Sequence, residues 1–124
     1  MSKIINTENA PQAIGPYSQA VCVGNLVFTS GQIAINPETG NVEDGTIEGQ
    51  TQQVCKNIAA LLTAGGSDIS KVVKTTCFLR NMEDFAAFNS VYERYFVSKP
   101  ARSCVAVREL PKNVLVEIDT VAEV

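Results

Sequence analysis

Histidine and tryptophan are absent from these 124 residues, and no run of like charges occurs along them. Without histidine there can be no Ser-His-Asp triad and no Cys-His pair. Acid–base chemistry must fall to carboxylates, tyrosine, cysteine, lysine, backbone groups or water. A nucleic-acid binder carries a basic stripe; the formal charge is −3 with no stripe, so no nucleic-acid partner is expected. Four scattered cysteines, Cys22, Cys55, Cys77 and Cys104, form no C-x-x-C pair, and no imidazole can join them. No metal site is therefore expected. The longest apolar stretches are strand-sized, so no membrane span is expected. Residues 1–6 show no basic segment followed by an apolar block, so no secretory signal is expected. These features point to the cytoplasm, a reducing compartment where thiols stay free. Most of the cysteines then serve as small apolar core residues.

What is present suits one core. The chain is 45% hydrophobic and 19% charged, and is read as a single domain over 1–124. A weakly charged surface on so small a chain points to burial against other subunits, the cheapest way for a small domain to remove surface from water.

Residues 1–16 read as irregular, punctuated by Pro11, Gly15 and Pro16. Tyr17 to Val23 reads as a strand, Gly24-Asn25 as a turn and Leu26 to Ser30 as the return strand of a hairpin. Gly31-Gln32 interrupts the pattern, as glycine does at a bulge or close backbone approach, and Ile33-Ala34-Ile35 continues it. Asn36 to Gly40 is a turn by composition. From Thr46 to Ala64 the period becomes helical: Ile47, Val54, Ile58, Leu61 and Leu62 share a stripe, with Gln50, Gln53, Lys56 and Asn57 mostly off it. Gly65-Gly66 is the stop signal. Ile69 to Leu79 reads as a strand, Phe85 to Val97 as a second helix capped by Asn81 or Asp84, Ala101 to Val107 as a strand, and Val114 to Val121 as the last strand. On that strand Val116, Ile118 and Thr120 share one face; Leu115, Glu117, Asp119 and Val121 share the other. The order predicts an α+β fold, a mixed sheet with two helices on one face.

Four constellations carry chemically useful groups. Arg102, in Pro100-Ala101-Arg102-Ser103-Cys104-Val105, puts a guanidinium at the start of an apolar strand; its planar fork matches a carboxylate with two parallel hydrogen bonds. The plain alternative is a surface arginine at a strand end. Glu117 and Asp119 lie on one face of a largely apolar strand; such acids are exposed, paired or functional, and a carboxylate there can hold a water and accept its proton. The alternative is a solvated sheet face or a pair with Arg102 or Arg108. Tyr17, after Gly15-Pro16, and Ser30-Gly31 offer hydroxyl donors and a close backbone approach; from the residues alone, a turn and an ordinary strand are the better explanation. Asn89 sits among aromatics on the second helix, where it caps or joins a polar network.

Taken in order, Gly15-Pro16-Tyr17-Ser18, Thr29-Ser30-Gly31-Gln32-Ile33, the Gln52/Asn57 helix, Lys74-Thr75-Thr76, Phe85-x-x-Phe88-Asn89-x-x-Tyr92, Pro100-Ala101-Arg102-Ser103, Leu110-Pro111 and Val116-Glu117-Ile118 resemble the RidA/YjgF reactive-intermediate deaminases over essentially the whole chain. Val97-Ser98-Lys99, before Pro100, is shorter than in some members. The resemblance implies a chorismate-mutase-like fold and a homotrimer with three ligand clefts between subunits. It implies that Arg102 binds the substrate carboxylate and that Glu117 positions or activates water. It also implies that backbone around Gly31 and Cys104 lines the cleft, with Tyr17, Ser30 and Asn89 nearby. The implied reaction is hydrolysis of 2-imino acids, such as 2-aminoacrylate or 2-iminobutanoate, to 2-keto acids and ammonia, with no cofactor. Cys104 lacks a histidine to activate it, so covalent catalysis is not expected. Two other classes remain: a non-catalytic trimeric binder or sensor of small 2-keto acids, and a chaperone or regulatory partner, for which no motif stands out.

Overall fold

A computed structural model describes residues 2–124, in the order β1 (Ser2–Ile5), β2 (Ala20–Val23), β3 (Leu26–Thr29), β4 (Ile35–Asn36), β5 (Asn41–Val42), α1 (Ile47–Ala64), β6 (Val72–Leu79), α2 (Phe85–Tyr95), β7 (Ala101–Ala106) and β8 (Val116–Glu123). Six strands form one sheet in the order β1-β2-β3-β8-β6-β7, while β4 and β5 make a separate small hairpin. All pairings in the large sheet are antiparallel except β6 with β7. Those two parallel strands are joined by the crossover that contains α2, as parallel neighbours require.

The sheet is covered by helices on one face, as the pattern predicts. Val116, Ile118, Thr120 and Ala122 of β8 are buried, as are Val72, Thr75, Cys77 and Leu79 of β6. The apolar ones meet Val54, Cys55, Ile58 and Leu62 of α1 and Phe88 and Tyr92 of α2 in one cluster. Burying side chains of this size contributes about 1.5–3 kcal/mol each. The opposite face keeps apolar groups in the open: Ile4, Val23, Phe28 and Val105 are exposed, Phe28 at 42%.

α1 begins where its sequence says it should. The Thr46 side chain accepts from Gly49 N at 3.0 Å and fills one orphan donor of the first turn. It ends at Gly65-Gly66, where Gly66 takes φ +81°, open to glycine at little cost.

Several boundaries differ from the pattern. Ser2–Ile5 is an edge strand, not irregular chain: Ile5 pairs with Ala20 and Ser2 with Val23. β2 begins only at Ala20, because the Gly15-Pro16-Tyr17 turn occupies the residues before it. Ile33 to Ile35 does not extend β3; only Gln32 bridges to Ile118, and the chain then enters the β4–β5 hairpin. Ile69–Lys71 is a 3-10 turn in which Asp68 accepts from Ser70 N at 2.9 Å. α2 stops at Tyr95, neither Asn81 nor Asp84 supplies a side-chain cap, and β8 starts at Val116 after a 3-10 turn at Pro111–Asn113.

Gln50 and Asn57 are buried, Asn57 at 1% exposure, although they lie off the apolar stripe of α1. Each bonds backbone groups outside the large sheet. Asn57 Nδ2 donates to Ile33 O and Ile35 O, and Gln50 Oε1 accepts from Leu115 N at 2.8 Å. In the same way buried Gln19 holds residues 7–11: its Oε1 accepts from Thr7 N, and its Nε2 donates to Thr7 O, Ala10 O and Pro11 O.

Candidate functional site

The candidate residues fall into two groups on opposite sides of the sheet. Register parity separates them. Arg102 is the Cα partner of Thr75 on β6, and Thr75 that of Thr120 on β8, so all three side chains point to the helix-covered side. Glu117 lies between buried Val116 and Ile118 and points the other way, beside Asp119. One chain therefore does not bring Arg102 and Glu117 together.

The first group stands at the sheet edge. Arg102 Nη1 donates to Asn89 Oδ1 at 2.7 Å. The guanidinium carbon lies 4.9 Å from the Tyr92 ring centroid and 5.4 Å from that of Phe85. Arg102, Asn89, Tyr92, Phe96, Val97 and Pro100 share an open groove of about 740 Å³. Cys104, two residues along, shares the side of Arg102 and pairs in register with Cys77. Burial pushes the Cys104 thiol up, against a smaller downward pull from Arg102. A thiol held in that form is a poor nucleophile.

The second group surrounds Glu117. Burial raises its carboxyl above the ordinary carboxylate range, and the neighbouring charge of Asp119 adds to the effect. Among the described residues none donates a hydrogen bond to it. Gly31 presses against the carboxylate: a methyl carbon on Gly31 would overlap Glu117 Oε2 and lie 2.9 Å from Cδ. The contact arises because Gln32 N donates to Ile118 O at 2.8 Å and Ile118 N to Gln32 O at 3.1 Å, tying the loop to β8 one residue past Glu117. Tyr17, Gly31, Gln32, Pro111, Lys112 and Glu117 line a pocket of about 200 Å³. Tyr17 is 53% exposed, and its hydroxyl accepts from Ile14 N at 3.3 Å. Ser30 does not line this pocket; its hydroxyl donates to Ser18 O at 2.6 Å and closes the 18–30 loop. Gly31→Ala is expected to displace the Glu117 carboxylate while leaving the sheet intact. A crystal structure of the variant should show a changed Glu117 rotamer, and thermal unfolding should fall by no more than a few degrees; an unmoved Glu117 would refute the steric account.

Phe85 and Tyr92 are not among the site residues expected from the sequence. The signal for them was their spacing about Asn89: positions 85, 89 and 92 fall on one face of a helix. Leu110 to Asn113 reads as a turn in the sequence, and Lys112 and Asn113, with φ of +54° and +57°, turn the chain sharply there; what the sequence does not show is that this turn lies beside Glu117. Among the described residues there is no group of three or more His, Cys, Asp or Glu placed to hold a metal ion, and no helix is long and apolar enough to cross a membrane.

The fold and the two groups define a class: a small α+β protein that presents an arginine fork at one sheet edge and a half-buried carboxylate on the other side. The chain matches the family described as Endoribonuclease L-PSP over residues 7–124 and belongs to it; this is the RidA/YjgF family. It is 54% identical over 123 residues to the Lactococcus lactis protein AldR, named as a regulator, with 98% of each chain covered. It is 48% identical over 126 residues to the 2-iminobutanoate/2-iminopropanoate deaminase of Escherichia coli K12, again with 98% of each covered. Among solved structures, Escherichia coli TdcF with bound serine superposes with a TM-score of 0.93 at 41% identity, covering 98% of both chains.

Proposed function

We propose that this protein hydrolyses reactive 2-imino acids, such as 2-iminopropanoate and 2-iminobutanoate, to 2-keto acids and ammonia. The observation that carries the reading is the Arg102 fork, already held by Asn89 and backed by aromatic rings, in a chain nearly half identical to a deaminase along its whole length. Arg102 binds the substrate carboxylate in plane. Glu117 takes a proton from water as the oxygen adds to the C=N carbon. With the imine protonated, the resulting carbinolamine takes that proton from Glu117 onto nitrogen and gives its hydroxyl proton back to Glu117 as the C–N bond breaks, leaving the ketone and ammonia. Neither a covalent nucleophile nor a cofactor is required, because an oriented imine beside one activated water already lies close to the transition state. The serine bound by TdcF is a small α-substituted carboxylate, the same class of ligand. RNA cleavage, which the family description suggests, finds less support: the chain carries a net charge of −3, no basic run and no histidine.

The cleft is assigned to the boundary between copies of the chain in a homotrimer. Arg102 and Glu117 point to opposite sides of one sheet, so a site that uses both takes one from each of two neighbours. The exposed Val23, Phe28 and Val105 give the open face something to bury. Sedimentation equilibrium is expected to give three chain masses. Co-expressing the Arg102→Ala and Glu117→Gln chains should restore about one quarter of wild-type activity, because random assembly of a ring leaves that share of clefts with both groups intact. No recovery would place both groups in one chain's site. The four free cysteines suit the cytoplasm, where thiols stay reduced.

The deciding assay generates an imine in place with a threonine dehydratase and follows ammonia release. Acceleration over spontaneous hydrolysis is the expected result. The L. lactis relative named as a regulator favours a second reading, a sensor that binds small 2-keto acids without turnover. Saturable 2-ketobutyrate binding with no acceleration would establish that reading instead.

A further inference from the structure

We propose that Phe85, Asn89 and Tyr92 form a cradle that fixes the Arg102 guanidinium, so that α2 sets the affinity of the site for a carboxylate while taking no part in the chemistry at the C=N bond. The proposal rests on the reading of Arg102 as the carboxylate ligand. Arg102 is an exposed side chain on an edge strand, a setting in which arginine normally samples many rotamers. Here three residues at i, i+4 and i+7 of one helix converge on it. The Asn89 carbonyl oxygen takes one Nη1 proton at 2.7 Å, while the rings of Tyr92 and Phe85 lie 4.9 and 5.4 Å from its central carbon.

The cradle is itself anchored. The Tyr92 hydroxyl and Thr75 Oγ1 share a buried hydrogen bond at 2.7 Å, and Thr75 is the register neighbour of Arg102 on β6. On the helix, the Tyr92 ring packs between Phe88 and Phe96, at centroid distances of 5.4 and 4.4 Å. The ring is thus held at its hydroxyl by the sheet and along its sides by the core.

The geometry leaves the guanidinium free to work. The aromatic rings attract the cation over their own faces and take up none of its N–H donors, whereas a carboxylate binds through two parallel N–H groups. The two interactions do not compete. Asn89 uses one of five N–H donors, and four remain for a substrate. Asn89, which the resemblance places near the cleft among the substrate-binding residues, is in this account a positioning residue that acts through Arg102.

The test is steady-state kinetics on one imine for Phe85→Leu and Asn89→Ala, each alone and combined with Arg102→Ala. Phe85 is only partly buried, so leucine keeps the fold while removing the ring. KM is expected to rise about fivefold for Phe85→Leu and about tenfold for Asn89→Ala, with kcat little changed. Neither change should lower kcat/KM further once Arg102 is alanine. Asn89→Asp, which sets a competing carboxylate beside the guanidinium, should raise KM more than Asn89→Ala does. A fall in kcat at unchanged KM for Asn89→Ala, or losses that add fully to those of Arg102→Ala, would overturn the proposal. So would unaltered KM in both single variants. If Arg102→Ala itself turns over imine at the wild-type rate, the carboxylate reading fails first, and the two failures are told apart. Should Phe85→Leu not fold, the Asn89 variants carry the same test.

Discussion

Arg102→Ala is expected to reduce deaminase activity at sub-saturating imine to a small residue while the protein stays folded. The side chain is exposed on an edge strand, and its removal leaves only the Asn89 oxygen, which water can reach. The fold therefore loses little. Catalysis loses a charged, two-point contact to a carboxylate in a cleft, and the substrate charge is left unpaired there. Such losses run to about 3–5 kcal/mol, or roughly 10²–10⁴ in kcat/KM. Arg102→Lys should also fail substantially. An ammonium keeps the charge but not the planar fork, so it cannot offer two parallel donors to a carboxylate. Circular dichroism and sedimentation of both variants should match wild type. Near wild-type turnover in the alanine variant would remove Arg102 from the site.

The helices and the alternation of β8 were legible because both are local periodicities, and the glycine and proline punctuation between them is local too. Glu117 and Arg102 were legible as chemically odd residues on apolar strands. Their placement on opposite sides of the sheet was not. It depends on the order β3-β8-β6-β7, in which β8 inserts between strands distant from it in sequence, and no local pattern encodes that pairing. β1 escaped notice for a similar reason: four residues with no turn signal become a strand only because Gln19 folds residues 7–11 back and delivers Ile5 opposite Ala20. Gln50 and Asn57 looked solvated because they are polar and off the stripe. They are buried because the backbone at 33, 35 and 115, outside the large sheet, needs donors and acceptors that the neighbouring helix supplies. Ser30 shows the converse case, a hydroxyl that reads as a ligand in sequence and closes a loop in the fold.

Glu117→Gln is expected to lower kcat by roughly 10²–10⁴, with a much smaller change in the binding of a non-reactive 2-keto acid. The amide has nearly the shape of the carboxylate, so the packing against Gly31 survives and only proton acceptance is lost. The dependence on pH gives a second readout. Catalysis needs ionised Glu117, and burial together with the charge of Asp119 raises its carboxyl above the ordinary range. Activity should therefore fall as pH drops through that raised value, at a higher pH than an exposed glutamate would give. Asp119→Asn removes the repelling charge and should move this acid limb down. The Glu117→Gln variant should show no limb of this origin. Cys104→Ser supplies the contrast. The thiol is pushed up by burial, and no base stands ready to deprotonate it, so the loss should stay below about tenfold. A thiol alkylator can still inhibit by bulk beside Arg102, so the deciding comparison is steady-state kinetics of the two variants on the same imine. A folded but inactive Cys104→Ser beside a fully active Glu117→Gln would reverse the assignment, making sulfur the nucleophile and the carboxylate a bystander.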